Sequence, residues 1–173
     1  MRLKKYFYKK VESTNNVAVR LIKQGNERGI IMTEQQSKGK GRRKNKWISM
    51  KGNLFLTVFF EIGKKISLSA IINLNLKIIK KIINKKINSI IQIKKPNDLL
   101  INNRKFCGIL QETIEYKNEK FIIIGIGLNL VKSPNIKNYL TTNILKETGL
   151  ILNKKKILKI IEINYRKKLN LFA

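Results

Sequence analysis

The spacing of apolar side chains changes several times along the chain, and each change marks an element. Residues 3–10 read as a strand. Ser13-Thr14-Asn15 then precede a helical pattern, Val17, Leu21 and Ile22, that runs to about Lys23, with Ser or Thr placed to cap its first turn and Gly25 fitting its end. Gly29 to Glu34 is a short strand, and Lys38 to Lys46 is a polar, basic loop before Trp47. The run from Asn53 to Glu61 (NLFLTVFFE) is rich in aromatic and branched residues over strand length, which predicts a central strand. From Ser67 to about Asn88 the period becomes helical: Leu68, Ile72, Leu76, Ile79, Ile83 and Ile87 recur at three- and four-residue intervals. Four strands follow, at 90–94, 98–102, 105–115 and 120–130, with turn chemistry at Pro96-Asn97 and Asn102-Asn103. Lys154 to Leu171 returns to helical spacing through Ile157, Ile161, Tyr165 and Leu169. The expected fold class is α/β (α+β): a mixed, largely antiparallel sheet with helices packed against it.

Length and charge narrow the picture. The 173 residues suit one domain with one sizeable core, and no repeat or proline-rich linker divides them. Thirty-eight Lys+Arg against 10 Asp+Glu give a net charge of +28. Lys, Ile and Asn, at 31, 30 and 20 residues, share A/T-rich codons, so base composition by itself can account for the excess. Histidine is absent and Cys107 is the only cysteine, which excludes Ser/His/Asp and Cys/His nucleophilic sites, Cys/His zinc sites and an intrachain disulfide. Cys107 itself reads as a small buried hydrophobe. No uncharged stretch approaches the ~20 residues of a bilayer-spanning helix, and MRLKKYFYKK lacks the apolar segment of a secretory signal. The expectation is a cytoplasmic protein without a membrane partner.

Three segments have chemical potential. Gly39-Lys40-Gly41-Arg42-Arg43-Lys44 combines glycines, which let backbone N–H groups approach an anion, with guanidinium forks; a solvated basic loop or a nucleic-acid patch has the same composition. Lys94-Lys95-Pro96-Asn97-Asp98 puts a lysine at a strand end beside the only aspartate, either to meet an anion or simply as a β-turn. Ile122 to Leu130 (IIIGIGLNL) has two glycines inside a strand, the usual sign that a ligand or another chain segment comes close, and Asn129 there either reads an adenine edge or caps a turn.

In order and spacing these segments resemble the biotin protein ligases. Ser13-Thr14-Asn15 is similar to the family's STN, and Glu34 to Arg43 followed by Trp47 and Ser49 resembles ExQxxGRGRxG…WxS. Lys94 to Asp98 resembles KWPND, Gly108-Ile109-Leu110 with Glu112 resembles GILxE, and Gly125 to Asn129 resembles GIGxN. The resemblance extends through Thr142 to Gly149 and the last helix. It implies the catalytic fold shared by these ligases and class II aminoacyl-tRNA synthetases. The implied activity is two-step. Biotin carboxylate attacks the α-phosphate of ATP, with Mg2+ on the phosphates, to give biotinyl-adenylate. A lysine of a biotin carboxyl carrier protein, a subunit of acetyl-CoA carboxylase, then takes the biotinyl group.

The resemblance assigns catalysis to Lys94 and Arg42. Biotin binding falls to Ser13, Thr14, Asn15, Gln36, Lys40, Gly41, Arg42, Lys94 and Gly108. Nucleotide binding falls to Gly39, Lys40, Arg42, Arg43, Trp47, Asn97 and Asn129, and no metal ligand is assigned. Lys40, Lys44 and Lys95 depart from the family's Arg, Gly and Trp. The resemblance covers the catalytic domain alone, with neither the N-terminal winged helix nor the C-terminal β-barrel of the family. Self-association into a homodimer is left open. The competing expectations are a lipoyl or octanoyl ligase or transferase of the same fold and, from another class, a basic nucleic-acid-binding module. The even spread of lysine argues against a specific nucleic-acid partner.

Overall fold

A computed structural model describes residues 2–63 and 66–168. Seven strands form one sheet in the order β1-β2-β3-β7-β6-β5-β4: β1 Lys4–Val11, β2 Arg28–Gln36, β3 Leu54–Ile62, β4 Ile91–Lys94, β5 Asp98–Ile101, β6 Arg104–Tyr116 and β7 Glu119–Leu128. Only β1 and β2 pair in parallel, and they need a crossover, which α1 (Thr14–Lys23) provides. Every other pairing is antiparallel, as expected for a mixed, largely antiparallel sheet. β3 is interior, flanked by β2 and β7, and all its residues except Glu61 are buried, which is why its sequence reads as an unbroken apolar run rather than an alternation.

The remaining helices are α2 (Leu68–Asn84), a short α3 (Ile144–Thr148) and α4 (Lys154–Lys168). The spacing overextends α2 to Asn88, since the helix stops at Asn84 with Lys85 as its C-cap. α3 is too short to leave a periodic signal. It is held by Asn143, whose side chain accepts from Lys146 N–H, and by Gly149 at φ 72°. The expected end of the last helix at Leu171 lies outside the described residues.

Two apolar layers flank the sheet. On one face α2 and α4 pack over Leu54, Leu56, Val58 and Phe60 of β3 and Ile122, Ile124 and Ile126 of β7. On the other, α1 sets Val17, Ala18, Leu21 and Ile22 against Ile31, Phe59, Phe121 and Ile123. α1 has only ten residues, about 15 Å, so the β6/β7 end of that face is left for other groups. α4 is fastened by a Lys5–Glu162 ion pair of 2.7 Å to β1 and by Tyr165 Oη donating to Asn75 Oδ1 of α2 at 2.8 Å. Burial pushes the Tyr165 phenol and the Cys107 thiol well above their ordinary ranges, so both stay neutral, and Cys107 is the small core residue the sequence implies.

Tyr165→Phe leaves Asn75 Oδ1 buried without its donor. The expected cost is about 1–3 kcal/mol, read as a lowered urea midpoint with an unchanged slope. Among the described residues no helix is long and apolar enough to cross a membrane.

Candidate active site

The open part of the α1 face has a floor of glycines. Gly108 of β6 pairs with Gly127 of β7, and Leu110 pairs with Gly125, so one side of this hairpin lacks side chains at three adjacent places. A Cβ on Gly125 would run into the Asn15 amide, one on Gly127 into the Trp47 indole, and one on Gly108 would stand 2.7 Å from the same indole. The close approach anticipated for the GIG segment is therefore made by the protein's own Asn15 and Trp47. The same holds at Gly108: its open side is taken by Trp47 and by the Lys105 stem, 3.2 Å from where a Cβ would be, rather than left clear for biotin.

Asn15 is seated by a buried polar network. Its Nδ2 donates to Glu112 Oε2 at 2.7 Å, and its Oδ1 accepts from Thr57 Oγ1 at 2.7 Å, with Thr14 Oγ1 2.8 Å from the same Thr57 hydroxyl. Ser13 is the N-cap of α1, yet its hydroxyl makes no capping bond, contrary to the sequence expectation. Gln36 does that work from β2: its Oε1 accepts from Thr14 N–H at 2.9 Å and Thr14 Oγ1 at 3.1 Å, while its Nε2 donates to Ser49 Oγ at 3.2 Å. Since the helix start is capped from outside, the buried Ser13 hydroxyl is left to face the cavity.

The glycine-arginine segment is a tongue closed by backbone hydrogen bonds, with the side chains from Arg42 to Lys46 exposed. Lys40 and Lys46 form an antiparallel bridge, Gly41 N–H donates to Asn45 O at 2.7 Å, and Trp47 N–H donates to Gly39 O at 2.9 Å. Gly39 is buried under the Trp47 carbonyl, 2.5 Å from where its Cβ would be. A single 3-10 turn at Arg42–Lys44 forms the tip, with Arg43 and Lys44 at φ 52° and 62°, in the left-handed region where the resembling motif carries glycine at Lys44. From this tip Arg42 reaches toward Asn97 Oδ1, 3.5 Å away, while Asn97 is fixed by its Nδ2 donating to Ile109 O at 3.2 Å.

Between tongue, glycine floor and α1 lies a cavity of about 540 Å³. That is the size of an ordinary small-molecule site. Lys40, Arg42, Lys46, Lys94 and Lys105 line it against one carboxylate, Asp98. Lys105 is the most enclosed cation. Its side chain is 15% exposed, with Nζ 2.8 Å from Asp98 Oδ1 and 5.5 and 5.2 Å from the centroids of Trp47 and Tyr139. Tyr139 comes from the segment after β7, held to β6 by Lys105 N–H donating to Leu140 O at 2.9 Å. The Trp47 indole N–H is buried with no acceptor among the described residues, a donor awaiting a ligand oxygen or nitrogen.

Most sequence-derived site residues converge here: Ser13, Thr14, Asn15 and Gln36 at one end, and Lys40, Gly41, Arg42, Trp47, Lys94, Asn97 and Gly108 around the rest. Gly39 and Arg43 do not line the cavity, because one underlies the tongue and the other points its exposed side chain away from the lining. Asn129 also lies off it. Its buried amide donates to Thr142 O at 3.2 Å and accepts from Asn53 Nδ2 at 3.3 Å, so it fastens the start of the next segment to β3. Lys94 lines the cavity with an exposed side chain, whereas Lys105, absent from the expected set, lines it with an enclosed one. A lysine three residues before Gly108, just ahead of the apolar run Phe106 to Leu110, was the available signal. Thr57 was equally hidden, as a lone hydroxyl in the LFLTVFF run.

Among the described residues no group of three or more acidic, Cys or His side chains could hold a metal ion. The one carboxylate on the cavity lining, Asp98, is paired with Lys105, so the lining offers no all-protein cage for Mg2+.

Residues 7–129 match the biotin/lipoate A/B protein ligase family. The bifunctional ligase/repressor BirA of Escherichia coli (strain K12) is 29% identical over 173 residues, covering 94% of this chain and 52% of that protein. Biotin--protein ligase 2 of Arabidopsis thaliana is 37% identical over 108 residues, covering 58% of this chain and 32% of the relative. The chain thus spans about half, or less, of the length of these relatives. Among solved structures, the biotin protein ligase of Aquifex aeolicus in complex with biotin and ATP has a TM-score of 0.80 at 22% identity, over 96% of this chain and 70% of that one. An archaeal bipartite lipoate protein ligase from Thermoplasma acidophilum has a TM-score of 0.63 at 7% identity, over 98% and 85%. These likenesses establish a common fold.

Proposed function

Because this chain belongs to the biotin/lipoate A/B protein ligase family, we propose that it activates biotin with ATP and transfers the biotinyl group to a lysine of a biotin carboxyl carrier protein. The observation that carries this reading is the division of one cavity into an uncharged hydrogen-bonding end and a cationic end. Ser13, Thr14, Asn15 and Gln36 suit a compact polar ring such as the ureido group. Lys105, Arg42, Lys40 and Lys46 suit a carboxylate meeting a triphosphate.

The first step is limited by charge: an anion attacks a polyanion, and negative charge grows on the α-phosphate and the leaving diphosphate. Lys105 offsets it best. It is held by Asp98 and two rings, so little reorganisation is needed, and the enclosed position weakens solvent screening. This moves the central catalytic assignment from the exposed Lys94 to Lys105, with Lys94 on the lining where diphosphate or carrier would pass. Mg2+ would arrive as the counter-ion of ATP and supply charge neutralisation on its phosphates. Trp47 N–H and Asn97 line the nucleotide side.

In the second step the carrier amine attacks the biotinyl carbonyl, an amide forms and AMP leaves. No histidine exists to take the proton, and the surrounding cations favour the neutral amine. Arg42 closes the cavity from the tongue tip across to Asn97. Arg42→Gly is expected to loosen retention of the adenylate more than it slows its formation, seen as biotin appearing on bystander lysines when a nonspecific protein is added. If the variant labels no bystanders and merely loses biotin affinity, Arg42 is a substrate ligand and not a closure.

The direct test supplies ATP, Mg2+, biotin and a carrier domain and follows the mass of the carrier. Lipoic or octanoic acid, the alternative substrate class within the family, is separated by acid-dependent diphosphate release. The polar ring end of the cavity predicts turnover with biotin and none with octanoate.

A further inference from the structure

The outward surface of α2 and α4 has no part in that chemistry. The cavity opens on the α1 face of the sheet, and these helices cover the opposite one. No acidic residue occurs between Glu61 and Asp98, and only Glu162 occurs after Glu147. Glu162 is buried, with a side chain 7% exposed, and is already paired with Lys5. The exposed positions of this layer are therefore cationic without local compensation. Elsewhere exposed acids lie among the cations, and two are paired in place, Glu12 with Lys38 at 2.7 Å and Glu27 with Arg28 at 2.6 Å.

The arrangement also has a pitch. Lys77, Lys81 and Lys85 are exposed at four-residue intervals, so successive ammonium groups advance by about 6 Å along one side of α2. On α4, Lys155, Lys159 and Lys167 are exposed, and α4 is held beside α2 by the Tyr165–Asn75 hydrogen bond. Asn73 and Asn84 add uncharged donors to the α2 row.

The chemistry of the row selects its partner. A membrane-binding helix turns an apolar stripe outward, yet the apolar sides of α2 and α4 are spent on the core, leaving only Leu68 and Ile163 as exposed large apolar groups on the two helices. An acidic protein surface needs an apolar or aromatic anchor, and among the described residues the two helices expose no aromatic side chain and one large aliphatic each. A repeating line of point charges with amide donors matches a phosphodiester backbone, which is bound through phosphates without reading bases.

We propose that the α2/α4 face binds the sugar-phosphate backbone of nucleic acid, independently of sequence and of the cavity on the other side of the sheet. The test is fluorescence anisotropy of a short single-stranded oligonucleotide and its duplex over a range of salt, using the whole chain. Lys81→Gln, Lys85→Gln, Lys155→Gln and Lys159→Gln combined should weaken duplex binding roughly tenfold or more at low salt. The slope of log affinity against log salt should fall by roughly three to four, at about 0.9 for each phosphate no longer neutralised. A second variant removes the same charge elsewhere, with Lys23→Gln, Lys51→Gln, Lys117→Gln and Lys132→Gln, all exposed and outside the cavity lining. It should keep most of the affinity and most of the slope. Equal losses in the two variants would reduce the effect to net charge and overturn the assignment. So would binding to vesicles rich in anionic lipid that outlasts oligonucleotide binding as salt is raised, or the absence of oligonucleotide binding at low salt.

Discussion

Lys105→Gln is expected to lower biotin-dependent diphosphate release by roughly 10²–10³-fold, the usual consequence of removing a pre-oriented group that stabilises transition-state charge. Glutamine removes the charge and is one atom shorter than lysine, so it withdraws from Asp98 and from the Cε and Nζ contacts with Gly108, and the stability of the variant is read beside its rate. Lys94→Gln is the comparison. An exposed lysine at the end of β4 is screened by water, and its replacement should cost far less. Near-normal rates for Lys105→Gln with a collapse for Lys94→Gln would reverse the assignment. Thermal melts of the two variants separate chemistry from folding, since Asp98 loses its partner in one of them only.

The second large effect belongs to Gly125→Ala. The added methyl group displaces the Asn15 amide, and with it the bonds to Thr57 and Glu112. Overpacking of this kind costs about 1–3 kcal/mol. The broken buried hydrogen bonds cost about 1–3 kcal/mol more. Stability by urea titration and biotin affinity by calorimetry should therefore fall together. Adding Asn15→Ala to Gly125→Ala makes room for the methyl group, so stability should partly recover while biotin affinity does not. Recovery of both would mean that Asn15 is packing material and has no share in recognition.

Much of this site was legible because its residues lie in short local patterns. The STN segment, the tongue, the Pro-Asn-Asp turn and the glycines each announce themselves within a few positions. The sheet was legible for a similar reason: branched and aromatic runs of strand length with turn residues between them predicted every strand to within three residues at its ends. What stayed hidden depends on distant segments meeting in space. Lys105 looks like one of 31 lysines until Asp98, Trp47 and Tyr139 surround it. The capping work of Gln36 shows only once α1 is seen to lack a side-chain cap of its own. The bonds of Asn129 were hidden for the same reason, because only the folded chain brings Asn53 and the Thr142 carbonyl to its amide. The lysines are spread evenly in sequence, but the gaps between acidic residues become one surface only when α2 and α4 lie side by side.

The pairing of β6 with β7 sets a rule of parity for this chain. Leu110 opposite Gly125 and Gly108 opposite Gly127 face the cavity, while Ile109 opposite Ile126 and Gln111 opposite Ile124 face the α2/α4 side. The hairpin closes through Lys117 and Asn118, both at positive φ. Adding or deleting one residue within either strand exchanges the two sets, burying Glu112 among isoleucines and thrusting Ile126 into the cavity. Length changes in this hairpin are thus confined to its tip, or to pairs of residues, over all the distance from Gly108 to Gly127. The segment from Val131 to Thr141 carries no such parity: it is tied at its ends, to Asn53 at Val131 and Lys132 and to Lys105 at Leu140 and Thr141. Changes of length between those ties would alter the size of what fits beneath Tyr139, while the floor beneath it keeps a fixed count.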